Sequence, residues 1–345
     1  MKGLGFISPA FPFEIALALG YKPRLLTPAG VSVSRAEGFL PRNFCAYLKL
    51  ILATLIQENG QEPIFVPLED ESHRRFFEVL KELLPGQVIA LEIPLRKDEQ
   101  GAKRFAHAFN LLAHQLGRDL RSEALREAIT LGNALRKALR EAKELWLKGK
   151  LSSLAYYDLR IKAFSPCSPE SIRNLTEVHA DNPGPQTPKP RIMLASGVIA
   201  KRPLIELIEK ESFAVVAEDT ELGDRYPLKE IPVGESVEEN LLSLARAYLN
   251  RPPSPRDLNP RSRISFYEGL IKARKVQGVV FSYYKFCDPA LAEYPFLASY
   301  LKRWGIPCLL LEEEDEDLSG QNITRIQAFL EMVRCGLRPI EPSDV

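Results

Sequence analysis

Net charge is nearly absent from this sequence: 46 lysines and arginines face 45 aspartates and glutamates, a formal +1 over 345 residues. That balance removes the basic footprint of a nucleic-acid or polyanion binder. No run of 18 or more apolar residues occurs, so no membrane-spanning helix is expected. Prolines at 9 and 12 interrupt the apolar start, and no secretory signal is read there; the expected location is the cytoplasm. Cysteines number only five, at 45, 167, 287, 308 and 335, too scattered for a disulfide-built secreted domain. In a reducing compartment each is a core thiol, a metal ligand or a nucleophile. C-x-x-C, a ferredoxin run, a Walker loop and a G-x-G-x-x-G after a strand are all missing.

What is present is ordinary globular material, 45% hydrophobic and 26% charged, long enough for about two domains at roughly 150 residues each. Short apolar runs recur: "PIFVPLE", "QVIALEIP", "RIMLASG", "FAVVAED", "GVVFSYY" and "PCLLLEE". Their continuous rather than alternating character suits strands buried on both faces, as in parallel sheets. Helical patterns such as "SHRRFFEVLKELL", "KRPLIELIEKES" and "ALAEYPFLASYLKRW" lie between them. Alternating strand and helix predicts an α/β protein of two doubly wound, flavodoxin- or Rossmann-like domains with parallel sheets. Residues 122–148 read as a long amphipathic helix capped by Ser122. Four prolines in "DNPGPQTPKPR", 181–191, mark a linker between domains 1–180 and 191–345, whose sheets should face a shared cleft.

Ligands of open α/β sheets collect at the carboxyl ends of strands, and Cys287 follows such a strand between Lys285 and Asp288. A buried small hydrophobe is the alternative for a free cysteine. Cys308 opens an apolar strand and is expected in the core. His107 and His114 are expected to pack, and the acidic run from 312, "EEEDED", to be a solvated loop. The Pro/Arg stretch 251–263 reads as a solvated connection, with an active-site loop or a partner contact as the other possibility.

Six segments in order, "FPFEIALALG", "SRAEGFLPRNFCAYLK", "VPLEDESHRR", "AEDTELGDRY", "KFCDP" and "GQNITRIQAFLE", together resemble the 2-hydroxyacyl-CoA dehydratase family. The related benzoyl-CoA reductase subunits and double-cubane proteins belong with it, and the resemblance spans nearly the whole chain. It implies two α/β domains holding a [4Fe-4S] cluster through three cysteines, two from the first domain and one from the second. Cys45 and Cys287 match the first and third of these; where the family reads V-P-N-S-C-D for the second, this chain reads "VPLEDE", placing Asp70 at that cysteine position with Glu69 beside it. Lys285 and Asp288 would tune the site, while Ser34, Arg35, Arg225 and Arg325 are candidate substrate contacts, each with a turn or ion-pair role as its alternative. The implied activity is dehydration or reduction of an acyl thioester through a ketyl radical, started by one electron from an ATP-hydrolysing activator. The implied partner is a related subunit or a second copy. A cluster-poor, non-catalytic partner subunit is the other function that this ligand set admits.

Overall fold

The computed structural model describes residues 2–336 except 29, 61, 166, 169, 171–188 and 258. The expected linker therefore lies outside the described residues as far as 188. The first half of the chain runs β1 (Lys2–Phe6), α1 (Phe13–Ala18), β2 (Tyr21–Leu25), α2 (Ala46–Glu58), β3 (Ile64–Leu68), α3 (Glu71–Leu83), β4 (Val88–Glu92), α4 (Glu99–Gln115), α5 (Ser122–Leu147) and α6 (Ser153–Ala163). The second runs β5 (Arg191–Ala195), α7 (Arg202–Lys210), β6 (Ala214–Asp219), α8 (Val237–Leu249), α9 (Pro260–Arg274), β7 (Gly278–Tyr284), α10 (Asp288–Arg303), β8 (Cys308–Glu313) and α11 (Gly320–Arg334).

Among the described residues, eight strands form two four-stranded parallel sheets, ordered β2-β1-β3-β4 and β6-β5-β7-β8. The expected doubly wound α/β architecture is present. Six strands coincide with the apolar runs read in the sequence. β1 and β2 do not, because glycine and lysine dilute the first and Pro23 interrupts the second. Pro23 is tolerated because β2 is an edge strand, where a missing N–H breaks no ladder on its outer side. All seven residues of β7 are buried, and each fully buried Val or Phe there contributes roughly 1.5–3 kcal/mol.

Helices α4 to α6 join the halves. α5 packs on α1 and on α8, α4 packs on α8, and α6 packs on α7 and β6, so one apolar core runs continuously from Leu4 to Val333. Leu125, Ile129, Leu135, Leu139 and Trp146 make the buried stripe of α5. Gly132 lies in that stripe because a Cβ there would stand 2.6 Å from Glu14 Oε1 and 2.8 Å from Arg136 Nη1. Glu14 and Arg136 form a fully buried ion pair beneath it. The cap of α5 differs from expectation. Arg121 occupies the N-cap position without a side-chain bond, because the Ser122 hydroxyl instead donates to the Glu235 carbonyl at 2.6 Å.

Two other expectations are corrected. His107 and His114 are exposed on α4, which buries Phe105, Phe109 and Leu112 instead. Cys308 is only half-buried, because β8 is an edge strand and its first residues have no neighbour beyond it. Among the described residues no helix is long and apolar enough to cross a membrane.

Candidate functional site

In each sheet the strand order reverses direction once, between β1 and β3 and between β5 and β7. Loops leaving the carboxyl ends there diverge and open a crevice. Ile7 and Ser8 leave β1, Glu69 and Asp70 leave β3, Ser196 leaves β5, and Lys285 to Cys287 leave β7. These loops meet.

Three positions that the sequence singles out share one structural role. Cys45 is the N-cap of α2, Asp70 of α3 and Cys287 of α10. Each therefore sits where unpaired backbone N–H groups and the helix dipole favour negative charge. Asp288 and Pro289 open α10 rather than forming a turn that leads the chain away, since proline is tolerated in the first helical turn. Phe286 carries a left-handed φ of 61°, rare for an aromatic residue, and delivers Cys287 from the strand to the cap. The Ala46 N–H donates to the Lys285 carbonyl at 3.0 Å, and the Tyr47 and Tyr284 rings meet at 5.5 Å. These contacts hold the two cysteine caps side by side, close enough for one thiol to hydrogen-bond the other. Cys45 is buried and Cys287 partly exposed.

This pairing separates the thiols chemically. Accepting the bond from Cys45, with Arg256 and the Ala290 N–H nearby, brings Cys287 down to about 6 against the opposing effect of burial. Donating that bond, together with burial, pushes Cys45 well up. Arg256 lowers both thiols and so favours loss of the first proton from the pair.

Asp70 is held differently. Its Oδ1 accepts from the His73 backbone N–H at 2.9 Å and from His73 Nδ1 at 2.8 Å. Its Oδ2 accepts from Arg256 Nε at 2.7 Å. Burial would raise the Asp70 carboxyl, but His73 and Arg256 outweigh it and hold the group far below the usual carboxylate range. Arg256 also stands 3.6 Å from Glu221 and 3.8 Å from Glu69. Burial opposes its charge, yet Glu69, Asp70 and Cys287 raise its pKa well above normal. Arg251 holds Glu69 at 2.9 Å, and the Ser8 hydroxyl donates to Glu221.

Arg256 is the residue that the sequence reading missed. It comes from the stretch 251–263 read as a solvated connection, which instead sends Arg251 and Arg256 into the crevice. The only hint was the placement of arginines among prolines that stiffen the loop. The acidic run from 312 also departs from a solvated loop. Glu313 is buried and accepts from Ser319 and Asn322. Asp315 accepts the Val33 N–H at 3.0 Å, and Glu316 binds the Tyr284 hydroxyl.

The remaining candidates are placed as follows. Arg225 is buried, paired with Asp219 at 3.0 Å, and donates to the Ser196 and Gly197 carbonyls at 3.0 and 2.8 Å. Arg325 donates to Asn322 and to the Leu310 carbonyl on the edge of the second sheet. Ser34 and Arg35 are exposed on a single 3-10 turn, Val33–Ala36. Lys285 pairs with Glu314 at 3.2 Å, and Asp288 is exposed in the first turn of α10. Beside the Tyr47–Tyr284 contact lies a cavity of about 250 Å³, lined also by Tyr157, Val198, Ile199 and Glu316. Burial raises the Glu316 carboxyl and favours its neutral form.

A search against family models matches residues 10–333 to "2-hydroxyglutaryl-CoA dehydratase, D-component". The chain belongs to the 2-hydroxyglutaryl-CoA dehydratase D-component family. Curated relatives include the (R)-phenyllactyl-CoA dehydratase beta subunit of Clostridium sporogenes, 24% identical over 96% of this chain and 91% of that protein. Another is the (R)-2-hydroxyglutaryl-CoA dehydratase subunit beta of Acidaminococcus fermentans, 22% identical over 96% and 92%.

An iron–sulfur cluster of the kind that the resemblance implies needs three convergent anionic ligands. In this D-component chain two thiols converge, but the second ligand position, Asp70, has both carboxylate oxygens engaged and a guanidinium at its face. A carboxylate is also a harder and less covalent iron ligand than a thiolate. Among the described residues no group of three or more His, Cys, Asp or Glu side chains is arranged to hold a metal ion. The donor set as placed does not fit a three-ligand cluster.

Proposed function

We propose that this chain is the cluster-free subunit of a 2-hydroxyacyl-CoA dehydratase-type complex. In this reading it keeps the two-sheet scaffold and its crevice, while a related partner subunit carries the cluster, receives the electron from an ATP-hydrolysing activator and acts on the acyl thioester. One observation carries the reading: Arg256 binds Asp70 at 2.7 Å where the family places its second cysteine. The cation neutralises the carboxylate and ties loop 251–257 to the first sheet, so the position serves the fold rather than a metal. The beta-subunit designations of the relatives support a partner.

A second reading, a cluster-bearing catalytic component, is favoured by the adjacent thiols at two helix N-termini. Strictly anaerobic purification followed by iron and acid-labile sulfide analysis separates the two. The proposed function expects colourless protein with far less than one iron per chain. Brown protein with about four irons and four sulfides would establish the second reading.

A further inference from the structure

We propose that Cys45 and Cys287 are a dithiol–disulfide pair that covalently links the two sheets when a low-molecular-weight disulfide is the oxidant. The inference rests on the reading above, in which no cluster occupies these sulfurs. Its basis is geometric. The two thiols come from opposite halves of the chain, share one apolar cluster, and are fixed by the Ala46-to-Lys285 backbone bond and the Tyr47–Tyr284 contact. No other pair among the described cysteines is placed in this way: Cys167 is buried in the large core, Cys308 on the edge strand adjoins Tyr294 of α10, and Cys335 is exposed after α11.

Exposure sets the order of events. Cys287, partly exposed, attacks the small disulfide; one S–S bond breaks, a mixed disulfide forms at Cys287 and one small thiol leaves. Cys45, buried alongside, then attacks the Cys287 sulfur and expels the second small thiol. The protein loses two protons and two electrons, and the small disulfide is reduced to two thiols. The product joins residues 45 and 287 directly. Such a link restricts the unfolded chain strongly, because the loop it closes is very long, and it staples the crevice shut.

The test uses the full-length protein, purified anaerobically, assayed for iron, and then equilibrated with mixtures of reduced and oxidised glutathione. After acid quenching and alkylation, intact mass and peptide mapping are read. The expected result is an iron-free sample whose oxidised form is about 2 Da lighter, with Cys45 and Cys287 both protected and no glutathione retained. Its thermal midpoint should exceed that of the reduced form. Cys45→Ser should instead retain one glutathione at Cys287, and Cys287→Ser should leave Cys45 unmodified, with circular dichroism confirming that both variants fold. An iron-free wild type that stays fully alkylatable, or that keeps glutathione on Cys287, overturns the pair. Iron bound at about four per chain with both sulfurs protected overturns the cluster-free reading and the pair with it, and the iron assay tells these failures apart.

Discussion

Replacing Arg256 by methionine keeps most of the side-chain volume and removes the charge. Its side chain is 18% exposed, so the loss is felt at reduced dielectric but not in a dry interior. Breaking a buried pair by deleting one partner costs about 3–5 kcal/mol. Here the stranded groups keep other donors: Asp70 retains both bonds from His73, Glu69 retains Arg251 and Glu221 retains Ser8. One direct charge-assisted bond is lost, a class worth about 1.5–3 kcal/mol, and two weaker ion pairs go with it. The expected loss is about 2–3 kcal/mol, equivalent to roughly 3–4 °C in thermal midpoint at about 1.4 °C per kcal/mol for 345 residues. Differential scanning fluorimetry under reducing conditions reads it. Arg256→Lys should fall between the two, since the charge stays while the Nε bond goes. Asp70→Asn combined with Arg256→Met should cost less than the sum of the single changes, because the two residues are in direct contact. A midpoint shift under about 1 °C for Arg256→Met, or strict additivity in the double variant, would refute the claim that this pair closes the site.

Glu14→Gln should cost about 3–5 kcal/mol in urea unfolding, because it leaves the fully buried Arg136 without its counter-charge; a loss below about 1 kcal/mol would contradict that. Acid should destabilise the protein in a defined direction. Burial would raise the Asp219 and Asp224 carboxyls, but Arg263 and Arg225 at the first, and Lys143 and Arg274 at the second, hold both below the ordinary value. Their contribution is therefore complete above the unfolded pKa of about 4 and is lost as pH falls through the folded values. A thermal midpoint that stays flat from about pH 5 down to about pH 3 would be inconsistent with this. Cys308→Ser should cost less than about 1 kcal/mol, since the half-buried edge position leaves its hydroxyl reachable by water; a loss of about 3 kcal/mol would return that residue to the core.

Much of the scaffold was legible in the sequence because parallel strands buried on both faces announce themselves as unbroken apolar runs. β3 to β8 all read this way. β1 and β2 did not, since a glycine-rich strand and an edge strand carrying Pro23 look like turn material in isolation. The three site positions were legible through short motifs, and their common role as helix N-caps was not, because a cap is defined by backbone dihedrals. Partnership was least legible. Arg256 meets Asp70 across 186 residues, and no local pattern encodes which of many arginines will reach which acid. The same holds for Arg225, whose position at the end of the "AEDTELGDRY" segment suited a ligand contact equally well. Only the fold, which seats it against Asp219 and two carbonyls of the β5 loop, gives it a structural role.

The central claim is that the Arg256–Asp70 pair stands where a cluster ligand would. Anaerobic reconstitution with ferrous iron and sulfide tests it most directly when the wild type is compared with an Asp70→Cys, Arg256→Ala double variant, each then desalted and measured for iron, sulfide and visible absorption. The account expects the wild type to emerge colourless and the double variant, with three thiols and no guanidinium, to retain about four irons per chain. A wild-type chain that holds about four irons as firmly as the double variant would contradict it.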